Sequence, residues 1–254
     1  MIAVGGENLI DLVAEAQTGN DGAHTGANSG ARYLPIPGGG PFNVAMAAGR
    51  QGQNVTYLTP ISSDAFGGLL AHCLDDAAVT IAAPRVSQPT SLAVVSLGAN
   101  GTPSYSFHRN DTAERQVTLD RLASWMPAAT KIFHVGGLAL IDGADADAWE
   151  HQFLNCKAKK ILTSLDPNVR PALITERAPY GARIRRMMQA ADVLKLSDED
   201  LLWLYPDRPL EQALADCRAD CGAALFVLTL GADGARGFVN DLAVHVPSTP
   251  VKTM

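Results

Sequence analysis

Apolar residues fall along this chain in short continuous runs separated by longer stretches of mixed polarity. The runs near Ile2–Gly6, Val55–Thr59, Lys131–Val135, Lys160–Asp166, Asp192–Lys195 and Ala224–Leu230 predict strands. Uninterrupted runs such as "ALFVLTL" suit strands covered on both faces. Between them, Pro41–Gln51, Ala65–Asp76, Leu119–Met126, Ala144–Lys157, Arg183–Ala190 and Leu210–Cys221 read as helices. Strand and helix alternating at this spacing predict a doubly wound α/β fold, a mainly parallel sheet flanked by helices. Two regions break the alternation. Leu9–Ala14 and Arg32–Ile36 enclose a stretch rich in Gly, Ala and Asn, which reads as a long hairpin tip or insertion rather than a domain boundary. Ser91–Leu97 and Pro103–Arg109 are joined by "GANGT", with Asn-Gly at the heart of a hairpin turn. Inserted at about 9–36 and 91–109, these strands predict a small antiparallel β lid. Its most useful place is over the carboxyl ends of the main strands, where open α/β sheets bind ligands.

Composition narrows the class. A length of 254 residues fits a single domain with an appendage, and 47% hydrophobic against 18% charged residues allows a substantial core. The net charge of −6 argues against a nucleic-acid partner. No apolar run reaches the length of a membrane span, and the N-terminus lacks a basic region and cleavage site. A cytoplasmic protein with no membrane or nucleic-acid partner is therefore expected. Of the four cysteines, Cys217 and Cys221 share a helix face. No further Cys or His pair lies at zinc spacing, so reduced thiols are expected rather than a metal site.

The stretch "PIPGGGPFNVAMAAGRQG", residues 35–52, carries the first candidate chemistry. Pro41 suits a first helical position, and the glycines before it expose backbone N–H groups with no Cβ to hold a ligand away. Asn43 adds a donor and an acceptor. Such a site fits a neutral, hydroxyl-rich molecule; a tight turn packing a small-residue helix on the sheet has the same pattern. A P-loop is absent, and no G-x-G-x-x-G follows the first strand, so a nicotinamide oxidoreductase is not favoured. "TLGADG", at 229–234, can offer N–H groups to phosphate from a strand end, or can be a plain connection. "SDED" reads as a helix start, with Ser197 as cap and Asp200 at the third position, close to a capping box. "DGADADAWE" lacks calcium-loop spacing and reads as an acidic helix start. The six histidines form no catalytic pattern, and His108 is expected on the outer face of its strand.

Taken in order, these segments resemble the ribokinase-like, or PfkB, carbohydrate kinases. "PGGGPFNVAMAAGRQG" resembles the family's first signature, and "VGGENLIDLV" its opening strand. "LTPISSDAFGGLL", "SYSFHRNDTAER" and "SLDPNVRPAL" resemble later substrate-side segments. "VLKLSDEDLLWL" and "LFVLTLGADGARGF" are similar to those that meet the nucleotide. The resemblance implies ATP-dependent phosphorylation of a small sugar at a primary hydroxyl. Fructose is the best single substrate, with 2-keto-3-deoxygluconate as the alternative. It assigns Asp11 as the acceptor of sugar hydroxyls, a charged acceptor making stronger bonds than a neutral one. Gly38, Gly39 and Gly40 admit the sugar, Asn43 binds a hydroxyl, Phe107 packs on an apolar face, and Arg109 reaches in from the lid. Asn168 and Arg170 complete the sugar side. Lys195, Ser197, Thr229, Gly231 and Gly234 are assigned to ATP, and Asp200 to Mg2+ through water.

Two departures qualify the resemblance. The family's N-x-x-E reads S-x-x-D at Ser197–Asp200, a shorter acid that alters the water network. The G-A-G-D motif, which supplies the catalytic general base, is not found and is expected beyond Met254. A naturally shortened product would be a sugar-binding protein without catalysis. The lid's apolar face predicts a homodimer formed through the lid.

Overall fold

The computed structural model describes residues 1–14, 32–97 and 103–249. The chain opens with β1 (Ile2–Gly6) and turns at Glu7 and Asn8 into β2 (Leu9–Ala14). β3 (Tyr33–Gly38) leads into α1 (Gly40–Arg50), followed by β4 (Val55–Tyr57), α2 (Ala65–Asp76) and β5 (Thr80–Ile81). The second excursion is β6 (Ser91–Leu97) and β7 (Pro103–His108). The chain then alternates through α3 (Leu119–Trp125), β8 (Ile132–Gly136), α4 (Gly143–Ala158), β9 (Leu162–Asp166), α5 (Arg177–Ala190) and β10 (Val193–Ser197). It continues through α6 (Asp198–Leu204), α7 (Leu210–Asp220), β11 (Leu225–Thr229), β12 (Ala235–Val239) and β13 (Leu242–Val246).

The main sheet has nine strands in the order β13-β12-β11-β10-β9-β8-β1-β4-β5. Every neighbouring pair from β5 to β11 is parallel. Strand order reverses between β1 and β8, which opens a crevice at their carboxyl ends and makes it the natural ligand position. Side-chain alternation divides the core between the two faces. Ala3 joins Phe133, Trp149 and Phe153 in one cluster, whereas the next residue, Val4, joins Phe42, Tyr57 and Leu70 in the other.

Four elements exceed the sequence expectation. β12 and β13 form an antiparallel hairpin at the sheet edge, and its two-residue turn places Asn240 at φ 51°. α6 is a full helix behind the expected cap. α5 begins at Arg177 rather than Arg183 because Pro179 sits in the first turn, where its missing N–H costs nothing.

The lid is the separate sheet expected, in the order β3-β2-β6-β7. Its outer pairs are antiparallel, but the central β2–β6 pair is parallel, with Leu9 opposite Ser91 and Asp11 opposite Ala93. The small antiparallel lid expected is thus present, with one parallel pair at its centre. The expected hairpin tips around 15–31 and 98–102 lie outside the described residues. All four cysteines are free, and among the described residues no helix is long and apolar enough to cross a membrane.

Candidate active site

A cleft of about 650 Å³ lies between the lid and the carboxyl ends of β1, β8 and β9. Its walls carry Glu7, Asp11, Asn43, Phe107, Asn168 and Arg170. Five of these six were legible in the sequence; Glu7 was not. Asp11, on β2, is partly withdrawn from water, and this desolvation raises its carboxyl above the usual range. Asn43 lies in the first turn of α1, which Pro41 starts without losing a needed N–H. Its side chain is exposed to the cleft.

The glycines serve the two acids more than they serve open space. Gly39 and Gly40 line the cleft, but Gly38 does not. A Cβ on Gly38 would overlap the Asp11 carboxylate. Gly39 has φ 116°, and a Cβ there would overlap the backbone oxygen of Glu7. Gly38 is therefore placed differently from the expectation: it makes room for Asp11 and is not on the cleft wall.

Phe107 faces the cleft from β7, and Tyr105, two residues earlier on the same strand face, stacks on it with centroids 6.0 Å apart. The period of two along the strand carried that signal. Arg109 is a correction. Its side chain is buried and donates from Nε and Nη2 to the Glu114 carboxylate at 2.8 and 3.2 Å. Ser91 Oγ donates to Glu114 Oε1 at 3.0 Å, and Thr112 Oγ1 donates to the Arg109 carbonyl at 3.0 Å. This closed network latches the base of the lid. Arg109 does not line the cleft, because a buried guanidinium needs a full partner and Glu114 supplies it.

Asn168 adopts φ 43° in the loop after β9. Arg170 follows it, largely exposed, and donates to the Val169 carbonyl at 3.1 Å. Asp200 holds this loop from behind. Its Oδ1 accepts the Val169 N–H at 2.8 Å and its Oδ2 accepts the Ser197 N–H at 3.0 Å. Ser197 Oγ in turn accepts the Asp200 N–H at 3.0 Å, completing the capping box of α6. The capping reading of Asp200 is thus the one the geometry displays: the group is buried, and each of its oxygens accepts one backbone amide. Among the described residues no cluster of three or more His, Cys, Asp or Glu could hold a metal ion.

The second half of the carboxyl edge is more open. Lys195 Nζ lies 3.1 Å from Asp166 Oδ2 at the ends of β10 and β9. Burial raises the Asp166 carboxyl and Lys195 opposes the rise. Burial, then the nearby Lys195, pushes His134 down to about 4, so its ring is neutral at pH 7. The ring Nδ1 lies 3.0 Å from Ser164 Oγ. Thr229 sits opposite Ser197 in adjacent strands. Beyond it, a Cβ on Gly231 would meet nothing within 4 Å, so that backbone is open to a ligand. Gly234 is different: a Cβ there would overlap the Val246 carbonyl, so the β13 end itself requires this glycine.

Relatives give this geometry its context. The model of the pfkB family carbohydrate kinases matches residues 1–254. A fructokinase of Rhizobium leguminosarum bv. trifolii is 35% identical over 255 residues, covering 99% of this chain and 73% of that protein. Fructokinase-2 of Oryza sativa subsp. japonica is 31% identical over 252 residues, covering 98% of this chain and 73% of that one. Among solved structures, fructokinase from Vibrio cholerae O395 bound to fructose, ADP and calcium superposes with a TM-score of 0.80 at 27% identity. That match covers 99% of this chain and 77% of the other. With the family model matched over residues 1–254 and a cleft under a lid at the carboxyl ends of the strands, the chain belongs to the pfkB family of carbohydrate kinases.

Proposed function

We propose that the cleft binds fructose for phosphorylation by ATP at a primary hydroxyl. One observation carries the choice of a neutral sugar. Asp11, Glu7 and Glu199 all line the cleft, while Arg109 is committed to Glu114, leaving Arg170 as the single arginine on the wall among the described residues. A sugar acid would meet net negative charge there; hydroxyls find acceptors. Asp11 accepts hydroxyl hydrogen bonds, Asn43 both donates and accepts, and the Phe107–Tyr105 stack covers an apolar sugar face. The relatives' names and the fructose-bound Vibrio structure support the same reading.

The nucleotide, in this reading, lies along the ends of β10 and β11. Gly231 offers open backbone to phosphate oxygens, Thr229 adds a hydroxyl, and the Lys195 ammonium supplies positive charge. A divalent ion such as Mg2+, carried by the phosphates, would neutralise charge on the transferred group. The chain's own contribution is to hold the hydroxyl and the phosphates in line, since positioning dominates phosphoryl transfer.

A homodimer formed through the lid is part of the same proposal. Tyr33, Leu34 and Ile36 on the edge strand β3 are 43%, 50% and 46% exposed, and a two-fold partner would cover them. A monomer at micromolar concentration in sedimentation would count against it. The free thiols and the use of ATP suit the cytoplasm.

A side-by-side assay of fructose and 2-keto-3-deoxygluconate tests the substrate, with calorimetry of each sugar beside it. A larger kcat/KM for the sugar acid overturns the ketose. Binding of neither sugar overturns the sugar site, and fructose binding without ADP formation leaves a sugar-binding protein.

A further inference from the structure

We propose that Glu7 is a positioning residue for the sugar, its carboxylate clasping the two walls of the cleft at the spacing the sugar needs. The inference rests on the sugar reading above. Glu7 stands where β1 breaks into β2, at the point of strand-order reversal. Its Oε1 accepts the Gly40 N–H at 2.8 Å, at the start of α1. Its Oε2 accepts the Leu138 N–H at 2.9 Å, in the 3-10 turn Gly137–Leu140 that follows β8. One wall carries Asn43 and the other leads away from β8, so one side chain sets the gap between them. The turn is shaped round the carboxylate: Gly137 has φ 66°, and a Cβ there would overlap both Glu7 oxygens.

The charge itself is the second observation. Glu7 is 3% exposed, and among the described residues no Lys, Arg or His forms an ion pair with it. A buried carboxylate held by amides alone is costly, and a neutral side chain could tie two loops at lower cost. Both oxygens accept only while the group is ionised. Protonation turns one of them into a donor, which a facing N–H cannot use. Burial pushes this carboxyl up to about 7, so the clasp changes state near neutral pH. The groups that face it are few. Glu114 and Arg109 at the lid base act in opposite directions. The Tyr57 hydroxyl of β4 donates to the Glu7 carbonyl at 3.1 Å and stays neutral. Asp11, Glu199 and Arg170 share the cleft, while α1 and the 3-10 turn present no charge toward it.

Two measurements on the whole chain test the clasp. Amide shifts of Gly40 and Leu138 are followed by NMR from pH 5.5 to 8.5, and the fructose Kd by calorimetry over the same range. Both amides should titrate together with a midpoint near 7. The Kd should rise about tenfold from pH 8 to pH 6 on that midpoint, the loss of one charged hydrogen bond. Glu7→Gln should abolish both titrations and leave affinity at the weak, low-pH value. Amides that do not titrate overturn the proposal without any need for the variant. Amides that titrate while Kd stays constant overturn the positioning role. Titrating amides with no sugar bound at any pH show that the sugar reading itself has failed, and the role falls with it.

Discussion

The two halves of the carboxyl edge are built on different plans. The half proposed for the sugar is fixed by buried groups: the Glu7 clasp, the Arg109–Glu114 latch and the Asp200 tie to Val169. The half proposed for the nucleotide is a strand-end turn whose Gly231 stands exposed, beside a Lys195–Asp166 pair in contact with solvent. Neutral hydroxyls are told apart by the direction of their hydrogen bonds, so the walls that meet them must not drift. Phosphate is met by charge and by backbone donors, which tolerate a looser frame.

Breaking the latch should produce the largest change. Glu114→Ala leaves the Arg109 guanidinium buried without a partner, at a cost of about 3–5 kcal/mol. Urea unfolding reads this directly, and a loss below 1 kcal/mol would show that the lid base relaxes and is not rigid. Next comes the clasp. Because the folded pKa of Glu7, about 7, lies above its ordinary 4.5, the native state binds the proton more tightly than the unfolded chain. Its ionisation therefore costs stability that is lost as pH rises from 4.5 through 7, about 3 kcal/mol in all. Glu7→Gln should flatten that part of the stability–pH curve, and an unchanged slope in the variant would assign the titration elsewhere.

Smaller effects sharpen the contrast between the halves. Asp11→Ala should weaken fructose binding by the worth of a hydrogen bond to a charged group, about 1.5–3 kcal/mol. An unchanged Kd in a folded variant would remove Asp11 from the sugar site. Ser197→Ala should cost about 1 kcal/mol of stability through the lost cap of α6. If Ser197 also meets phosphate, the Kd of a non-hydrolysable ATP analogue rises in the same variant; an unchanged Kd makes Ser197 a cap alone.

The sequence made legible what local pattern controls. Apolar runs marked the parallel strands, and family motifs brought Asp11, Asn43, Phe107, Asn168 and Arg170 to one cleft. What stayed hidden depends on long-range packing. Nothing in "FHRNDTAE" says that Arg109 turns inward, because its partner Glu114 becomes buried only when the lid docks on the body. Glu7 carries no periodic signal, since its two partners come from Gly40 and Leu138, far apart along the chain. A glycine-glutamate pair between two predicted strands, at a reversal of strand order, was the one clue available. α5 was read short because Pro179 looks like a breaker when its place in the first turn is unknown.

The parallel β2–β6 ladder has a consequence for how the sugar is held. It places Asp11 on the same sheet as Phe107, so the acceptor and the aromatic cover of the proposed site belong to the lid. Asn43, Asn168 and Arg170 belong to the body. A sugar touching both sets is a rivet between two plates, and whatever free energy it gains from the far plate depends on the plates being seated. Loading and seating are then one equilibrium seen from two sides: a lid already seated binds the sugar more tightly, and the sugar seats the lid by the same factor.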